Sequence, residues 1–369
     1  MKNTLIAVAI VALLIVGGAR VYTAGPSEKG PIKIGFIGPL TGDAASFGVV
    51  AKAGVELAIE EINAAGGIND RRIEAVYEDG QCSPTEASSA ASKLMNIDKV
   101  TAILGGTCST ETSSFAPAAM QNKTVVLSYC SSAPSLSNTG EYFFRNYPSD
   151  LLQGKFMAEY AYNTLGARDM YIIYHTTDWG TGLKDVFSKR FQELGGTVVG
   201  VEGSAQEERD YKTMLTKAKA SDATFIYAPM YPDGSSVAMK QAKDLDLKAR
   251  FIGGDTWDDP KFQAAVAMLG TFIYPKLESP AADDFTKKVQ AKTGMEEVVF
   301  CAAHAYDATH ILANALSEAG TDPDKLADSL RATKYNGLIG HVEFDEHGDM
   351  KGGSYVARKI ENGKSEVLR

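Results

Sequence analysis

Two short clusters of small hydroxyl residues stand out, Gly105-Gly106-Thr107-Cys108-Ser109-Thr110 and Cys130-Ser131-Ser132-Ala133-Pro134. Neither offers a nucleophile with a base beside it. Each offers hydroxyl and backbone N–H donors, the equipment for holding an anionic group without a cation. Each follows a short apolar run, Thr101–Leu104 and Thr124–Leu127, and the stretch between them, from about Thr110 to Met120, can form one helix. A strand–helix–strand unit places both clusters at the carboxyl ends of parallel strands, the edge where such sheets bind ligands. The start of the following helix adds unpaired N–H groups that favour an anion. Serine and glycine also make ordinary turns, so the chemistry depends on the elements that position the clusters.

Those elements recur along the chain. Strand Ile32–Ile37 leads through Gly38-Pro39-Leu40-Thr41-Gly42 to a helix from about Val49 to Ala65, with Val55, Ala58, Ile59 and Ile62 on one face. Gly66-Gly67 stops it. Strand Ile73–Tyr77 precedes a helix from about Pro84 with Ala87, Ala90, Ala91 and Leu94 at the same spacing. After about residue 150 the order repeats: strand Met170–Tyr174, the turn Thr177–Gly182, and a helix carrying Leu183, Val186, Phe187, Phe191 and Leu194. Strands at Val198-Val199, Thr224–Tyr227 and Arg250–Gly253 follow, then a helix over about Ala302–Ala319 and a hairpin around Phe344–Asp349. The alternation predicts an α/β protein with parallel sheets in two similar halves. No low-complexity linker separates them, so the expectation is two lobes with a cleft between.

The chain has 369 residues, with 44% hydrophobic and 22% charged residues, as in a folded globular protein. Met1-Lys2-Asn3, an apolar run Leu5–Val16 and the small residues Gly17-Gly18-Ala19 have the layout of a secretory signal over residues 1–24, with cleavage after Ala19 or Ala24. The run is shorter than the roughly 20 residues of a spanning helix, and an uncleaved anchor is the alternative. Removal of the leader takes Lys2 and Arg20 with it and moves the formal charge from −9 to −11. An acidic chain without basic clusters argues against nucleic acid as a partner.

Export permits disulfides. Of the four cysteines, Cys82 and Cys108 fall in adjacent strand-end loops, and a bridge between them is expected. Cys130 and Cys301 are either a second pair or two buried thiols. No CxxC occurs and the five histidines lack metal-ligand spacing. Neither cofactor nor metal is expected. The dinucleotide, P-loop and Gly-x-Ser-x-Gly motifs are absent, and only His175 falls near the expected cleft, so an enzyme is disfavoured.

Five segments in order resemble the periplasmic leucine/isoleucine/valine-binding protein family, type I substrate-binding proteins of ABC transporters. They are Ile34–Gly42, Ala58–Ile68, Gly105–Ser109, Phe251–Asp255 and Phe344–Asp349, and the resemblance runs from about Ile32 to the C-terminus. It implies two Rossmann-like lobes, 31–147 plus 277–347 and 148–276 plus 348–369, joined by three crossings and closing on one ligand. It implies that Ser109 with Cys130, Ser131 and Ser132 holds a ligand α-carboxylate, and that Asp255 on the other lobe meets the α-ammonium. Phe47 and Trp179 would cover the ligand, with Met230 or Tyr231 as a further wall. Thr107 stands where an aliphatic side chain is common, which makes the pocket more polar than one tuned to leucine. The implied function is capture of an amino acid, branched-chain or more polar, or an amide, and its delivery to ABC permease membrane subunits, by an exported monomer. A sensor of the same fold is the alternative.

Overall fold

In the computed structural model, residues 30–266, 270–275, 281–295, 300–361 and 363–368 are described. The leader expected over residues 1–24 lies outside them. Among the described residues no helix is long and apolar enough to cross a membrane.

The first sheet holds β1 (Ile32–Gly38), β2 (Ile73–Asp79), β3 (Ala102–Leu104), β4 (Val125–Ser128) and β5 (Phe143–Arg145), all parallel, in the order β2-β1-β3-β4-β5. Helices α1 (Ala45–Ala64), α2 (Pro84–Lys93) and α3 (Ser109–Gln121) connect its first four strands. Strands β1, β3 and β4 are almost wholly buried and read as continuous apolar runs because helices cover both faces.

The chain then crosses to a second sheet through Asn146–Ser149. This sheet holds β6 (Asp169–His175), β7 (Thr197–Ser204), β8 (Phe225–Ala228), β9 (Arg250–Gly253) and β10 (Gly270–Pro275). Its helices are α4 (Asp150–Glu159), α5 (Asp178–Glu193), α6 (Lys212–Ala220), α7 (Pro232–Asp244) and α8 (Pro260–Ala265). After β10 the chain returns to the first lobe as α9 (Ala282–Thr293), α10 (Cys301–Ala319) and α11 (Pro323–Arg331), followed by the two-stranded β11 (Tyr335–Gly337) and β12 (Gly340–Val342). It crosses back once more to place β13 (Tyr355–Glu361) and β14 (Lys364–Val367) antiparallel on the edge of the second sheet, which runs β14-β13-β10-β9-β8-β6-β7. Helices α1 and α10 pack against each other, with the carbonyl of Ala302 at Gly54, where a Cβ would approach it to 2.3 Å.

The predicted helices and parallel strands are present with ends shifted by a few residues. The first helix starts at Ala45 rather than Val49, and of its expected face Val55 and Ala58 are buried while Ile59 and Ile62 are half-buried. The turn at Phe344–Asp349 is closed by an antiparallel bridge between Phe344 and Met350 and a parallel one from Asp349 to Arg145.

One residue organises the crossings. Arg145, at the end of β5, is fully buried and forms a bidentate pair with Asp349, Nε to Oδ1 at 2.6 Å and Nη2 to Oδ2 at 2.8 Å. Its Nη1 donates to the carbonyl of Ala133 at 2.8 Å, and its Nη2 to Ser137 Oγ at 3.0 Å. The first crossing, the last crossing and the second serine cluster are thereby tied to one side chain. A buried guanidinium persists only when its donors are matched in this way.

Candidate functional site: a cleft between the two lobes

The first cluster is a turn between β3 and α3. Gly105 has φ +143°, and a Cβ there would lie 2.4 Å from the Ile37 carbonyl, so this position requires glycine. The turn is fastened from inside by Glu111. Its Oε2 accepts from the N–H groups of Thr107 and Cys108, both at 3.0 Å, and its Oε1 accepts from Cys82 N–H at 3.1 Å. Burial pushes the Glu111 carboxyl up to about 7, against the pull of these donors. Glu111 stands three residues after Cys108 at the helix start, the spacing of a capping box. That signal was available in the sequence. The Cys82–Cys108 disulfide closes the same turn, as expected, with the Cα atoms 5.4 Å apart.

The second cluster follows β4 and is stitched to the first. Ser109 Oγ accepts from Ser132 N–H at 3.2 Å and Ala133 N–H at 3.0 Å, which leaves its own proton to donate into the cleft. Ser131 faces the other way. Its Oγ donates to the Gly106 carbonyl at 2.9 Å and lies 2.7 Å from Thr112 Oγ1, and it is fully buried. Tyr129 O–H donates to the Ile37 carbonyl at 3.0 Å, so Thr107 O–H donates to Tyr129 across 2.8 Å. Cys130 pairs with Cys301 at the start of α10, with Cα atoms 5.7 Å apart, which resolves the alternative left open by the sequence.

The second lobe supplies the opposite wall. Asp255 follows β9, is 3% exposed, and accepts at Oδ2 from Tyr147 O–H at 2.6 Å and Gln153 Nε2 at 3.0 Å. Its Oδ1 completes no hydrogen bond, although the N–H groups of Asp255 and Thr256 lie close enough to favour the anion. Burial pushes its carboxyl up to about 6. Trp179 and Tyr231 stack with centroids 5.2 Å apart. His175 orients the second ring: its Nδ1 accepts from Tyr231 N–H at 3.1 Å, so its Nε2–H donates to Tyr211 O–H at 3.2 Å. Burial holds this imidazole down to about 4 and therefore neutral.

Phe47, Thr107, Ser109, Cys130 and Ser132 face Trp179, Tyr231 and Asp255 across one pocket. It encloses about 360 Å³ of empty space, solvent at its mouth included. Cys108, Thr256 and Phe300, unforeseen as walls, complete it. Of the alternatives at 230 and 231, Tyr231 lines the pocket. Met230 packs in the core of the second lobe and offers its carbonyl to Ser235 and Thr256. Ser131 likewise lies behind the wall. Phe300 packs 6.1 Å from Phe47 and 5.4 Å from Tyr147, centroid to centroid. Across the mouth, Ser46 Oγ donates to Asp259 Oδ2 at 2.8 Å and Arg209 pairs with Asp43. The lobes are thus in contact around the cleft. The pocket has the serines Ser109 and Ser132 at one pole, the buried Asp255 carboxylate at the other and aromatic walls, and among the described residues no cation lines it.

A family profile described as periplasmic binding protein matches residues 31–364. The chain belongs to this family. Its members are binding proteins, not enzymes. The chain is 28% identical over 327 residues to the leucine-, isoleucine-, valine-, threonine- and alanine-binding protein of Pseudomonas aeruginosa, covering 87% of each chain. It is 31% identical over 337 residues to an amino acid binding protein of the same organism, covering 88% of this chain and 89% of that one. Among solved structures it resembles the leucine binding protein LivK of Thermotoga maritima, with TM-score 0.84, 30% identity, and coverage of 92% and 98%. It also resembles the branched-chain amino acid transporter substrate-binding protein LivJ of Streptococcus pneumoniae in complex with isoleucine, with TM-score 0.82, 28% identity, and coverage of 92% and 99%. A benzoate-bound solute binding protein of R. palustris, 18% identical with TM-score 0.82, shares the fold.

Proposed function

We propose that this protein is the extracytoplasmic solute receptor of an ABC transporter and captures a free amino acid between its lobes, 31–147 plus 277–347 and 148–276 plus 348–369. The observation that carries this reading is the split of polarity across one pocket. The hydroxyls of Ser109 and Ser132 on one lobe suit a carboxylate. Asp255 on the other, with an unpaired buried oxygen, suits an ammonium. A zwitterion satisfies both poles only when the lobes are together, so it binds the closed state more tightly and shifts the population toward it. Nothing in the pocket supplies a nucleophile–base pair: His175 is committed to Tyr231 and Tyr211.

The branched-chain and small amino acids named for the relatives support the ligand class. Thr107 stands in the wall with its hydroxyl engaged by Tyr129, so branched-chain and small side chains both suit this position. Membership of the family supports export to the periplasm and hand-over to membrane permease subunits, with the protein acting as a monomer. The test is calorimetry and thermal shift with the twenty amino acids and simple amides. Binding of one subset with a melting shift supports the reading. Silence from all of them defeats it.

A further inference from the structure

Behind Asp255 lies a second buried carboxyl that does not line the pocket. Asp150 opens α4 directly after the first crossing and is fully buried. One amide joins the two acids: Gln153 Nε2 donates to Asp150 Oδ1 at 2.8 Å and to Asp255 Oδ2 at 3.0 Å. The same side chain accepts at Oε1 from Asp255 N–H at 3.1 Å. Asp150 N–H donates to the Ser132 carbonyl at 2.9 Å, so this acid touches the backbone of one pole of the pocket and the side-chain network of the other. Asp150 Oδ2 and Asp255 Oδ1 both lack a completed hydrogen bond.

The groups facing this pair do not neutralise it. Tyr147 donates to Asp255, and the hydroxyls of Tyr227 and Tyr355 face both acids, as neutral groups held so by burial. Tyr231 lies on the α7 side and is also neutral. Ser132 and Gln153 favour the anion of Asp150 as neutral dipoles. Arg145 acts on Asp150 from a distance, but its charge is already matched by Asp349. Two almost fully buried anions around one amide leave one negative charge unmatched in the empty site. A buried pair in that position shares a proton.

We propose that Asp150 is a positioning residue of the ammonium pole: joined to Asp255 through Gln153, it lets the empty site hold one proton, which leaves for solvent when a ligand ammonium enters. The inference rests on the amino-acid reading above. In the step the Asp150–Asp255 pair loses one proton to the buffer, and the ligand's R–NH₃⁺ keeps its three protons and takes the vacated charge. Burial raises both carboxyls, and the charge of Asp255 raises Asp150 further. Both directions agree with a shared proton.

The test has a ligand-free arm and a ligand arm, on the whole folded chain. Infrared titration of the ligand-free protein should show, in addition to the raised Glu111 and Asp307 carboxyls that every variant retains, one further protonated buried carboxyl persisting to about pH 6. That band should be lost in Asp150→Asn, and its titration should move to lower pH in Asp255→Asn. Absence of the band in the wild type, or no change in either variant, overturns the proposal. In calorimetry at pH 6, repeated in buffers of different ionisation enthalpy, a bound amino acid should release about half to one proton, falling toward zero at pH 8. Asp150→Asn should bind without releasing it. Buffer-independent heat at pH 6 from the wild type overturns the proposal while leaving the amino-acid reading intact. Failure of every amino acid to bind defeats the ligand reading alone, since the infrared arm needs no ligand. Should Asp150→Asn fail to fold, Gln153→Met serves: it removes the shared donor and should change the carboxyl titration.

Discussion

Replacement of Asp255 by asparagine separates a ligand-binding role from a structural one. The side chain keeps its size, and an amide oxygen can still accept from Tyr147 and Gln153 at the Oδ2 position. What changes is the Oδ1 position, where an acceptor without a partner becomes a donor. Unit charges 4 Å apart at an effective dielectric near 20 interact by about 4 kcal/mol. Truncating one partner of a buried charge pair costs about 2–5 kcal/mol. The expected loss is therefore about 30-fold to several thousand-fold in Kd, read by calorimetry with whichever amino acid binds the wild type. Stability should move the opposite way. Burial raises this carboxyl to about 6 from an ordinary 3.8, so the ionised form is disfavoured in the empty fold. Its contribution is favourable at low pH and is lost as pH rises from about 4 through 6, by at most about 3 kcal/mol. The asparagine variant lacks this loss, so without ligand at pH 7 it should melt at or above the wild-type temperature. A variant that melts lower and binds with unchanged affinity would refute the assignment of Asp255 to the ligand.

Three further outcomes are expected. Glu111→Gln removes an acceptor from a carboxylate that holds three backbone N–H groups, leaving at least one unmet; unfolding stability should fall by about 1–3 kcal/mol, and affinity should fall with it because the turn carrying Ser109 loosens. His175→Phe leaves Tyr231 N–H without its acceptor at a similar cost. Because burial lowers this imidazole to about 4 from 6.5, the wild type should lose stability to protonation of the unfolded chain as pH falls from about 6.5 to 4, and denaturant titrations should show the variant free of that component. Reduction of the disulfides, which span 26 and 171 residues, should cost about 3–5 kcal/mol each in the loop-entropy account; a melting temperature insensitive to reductant, with free thiols titrated, would contradict it.

The elements were legible where local pattern and tertiary environment agree. Buried β1, β3 and β4 are plain apolar runs, and the faces of α2 and α5 follow helical spacing. Strand β10 and the β13–β14 hairpin escaped notice because β13 joins the second sheet antiparallel to β10, a strand much earlier in the chain. The serine turns were recognisable because each sits at a strand end, where topology predicts a ligand, whereas Asp255 was singled out through the family resemblance, since its type and place alone also suit a helix cap. Phe300 was not, since it reaches the pocket only through the packing of α10 on α1. Nor were Tyr147 and Gln153, whose roles depend on the geometry of the crossing between lobes. The pairing of Cys130 with Cys301 is equally long-range. Ser131 illustrates the reverse: its type fits a ligand contact, but its hydroxyl is consumed by Gly106 and Thr112.

Arg145 bears on the order of events in binding. It fastens the first and last crossings and the second serine turn into one knot beside the floor of the pocket. A lobe swinging about that knot has its fulcrum close to the carboxylate pole and its longest lever arm at the mouth, where Ser46 meets Asp259. Opening would then displace Trp179 and Tyr231 with their lobe and leave Ser109 bonded to Ser132 and Ala133. On the proposed reading, an arriving ligand would meet Ser109 with Phe47 and Phe300 on one lobe before Trp179 and Tyr231 close over it. On that reading the charged end common to all amino acids would govern encounter, and the closing swing would complete the discrimination among side chains.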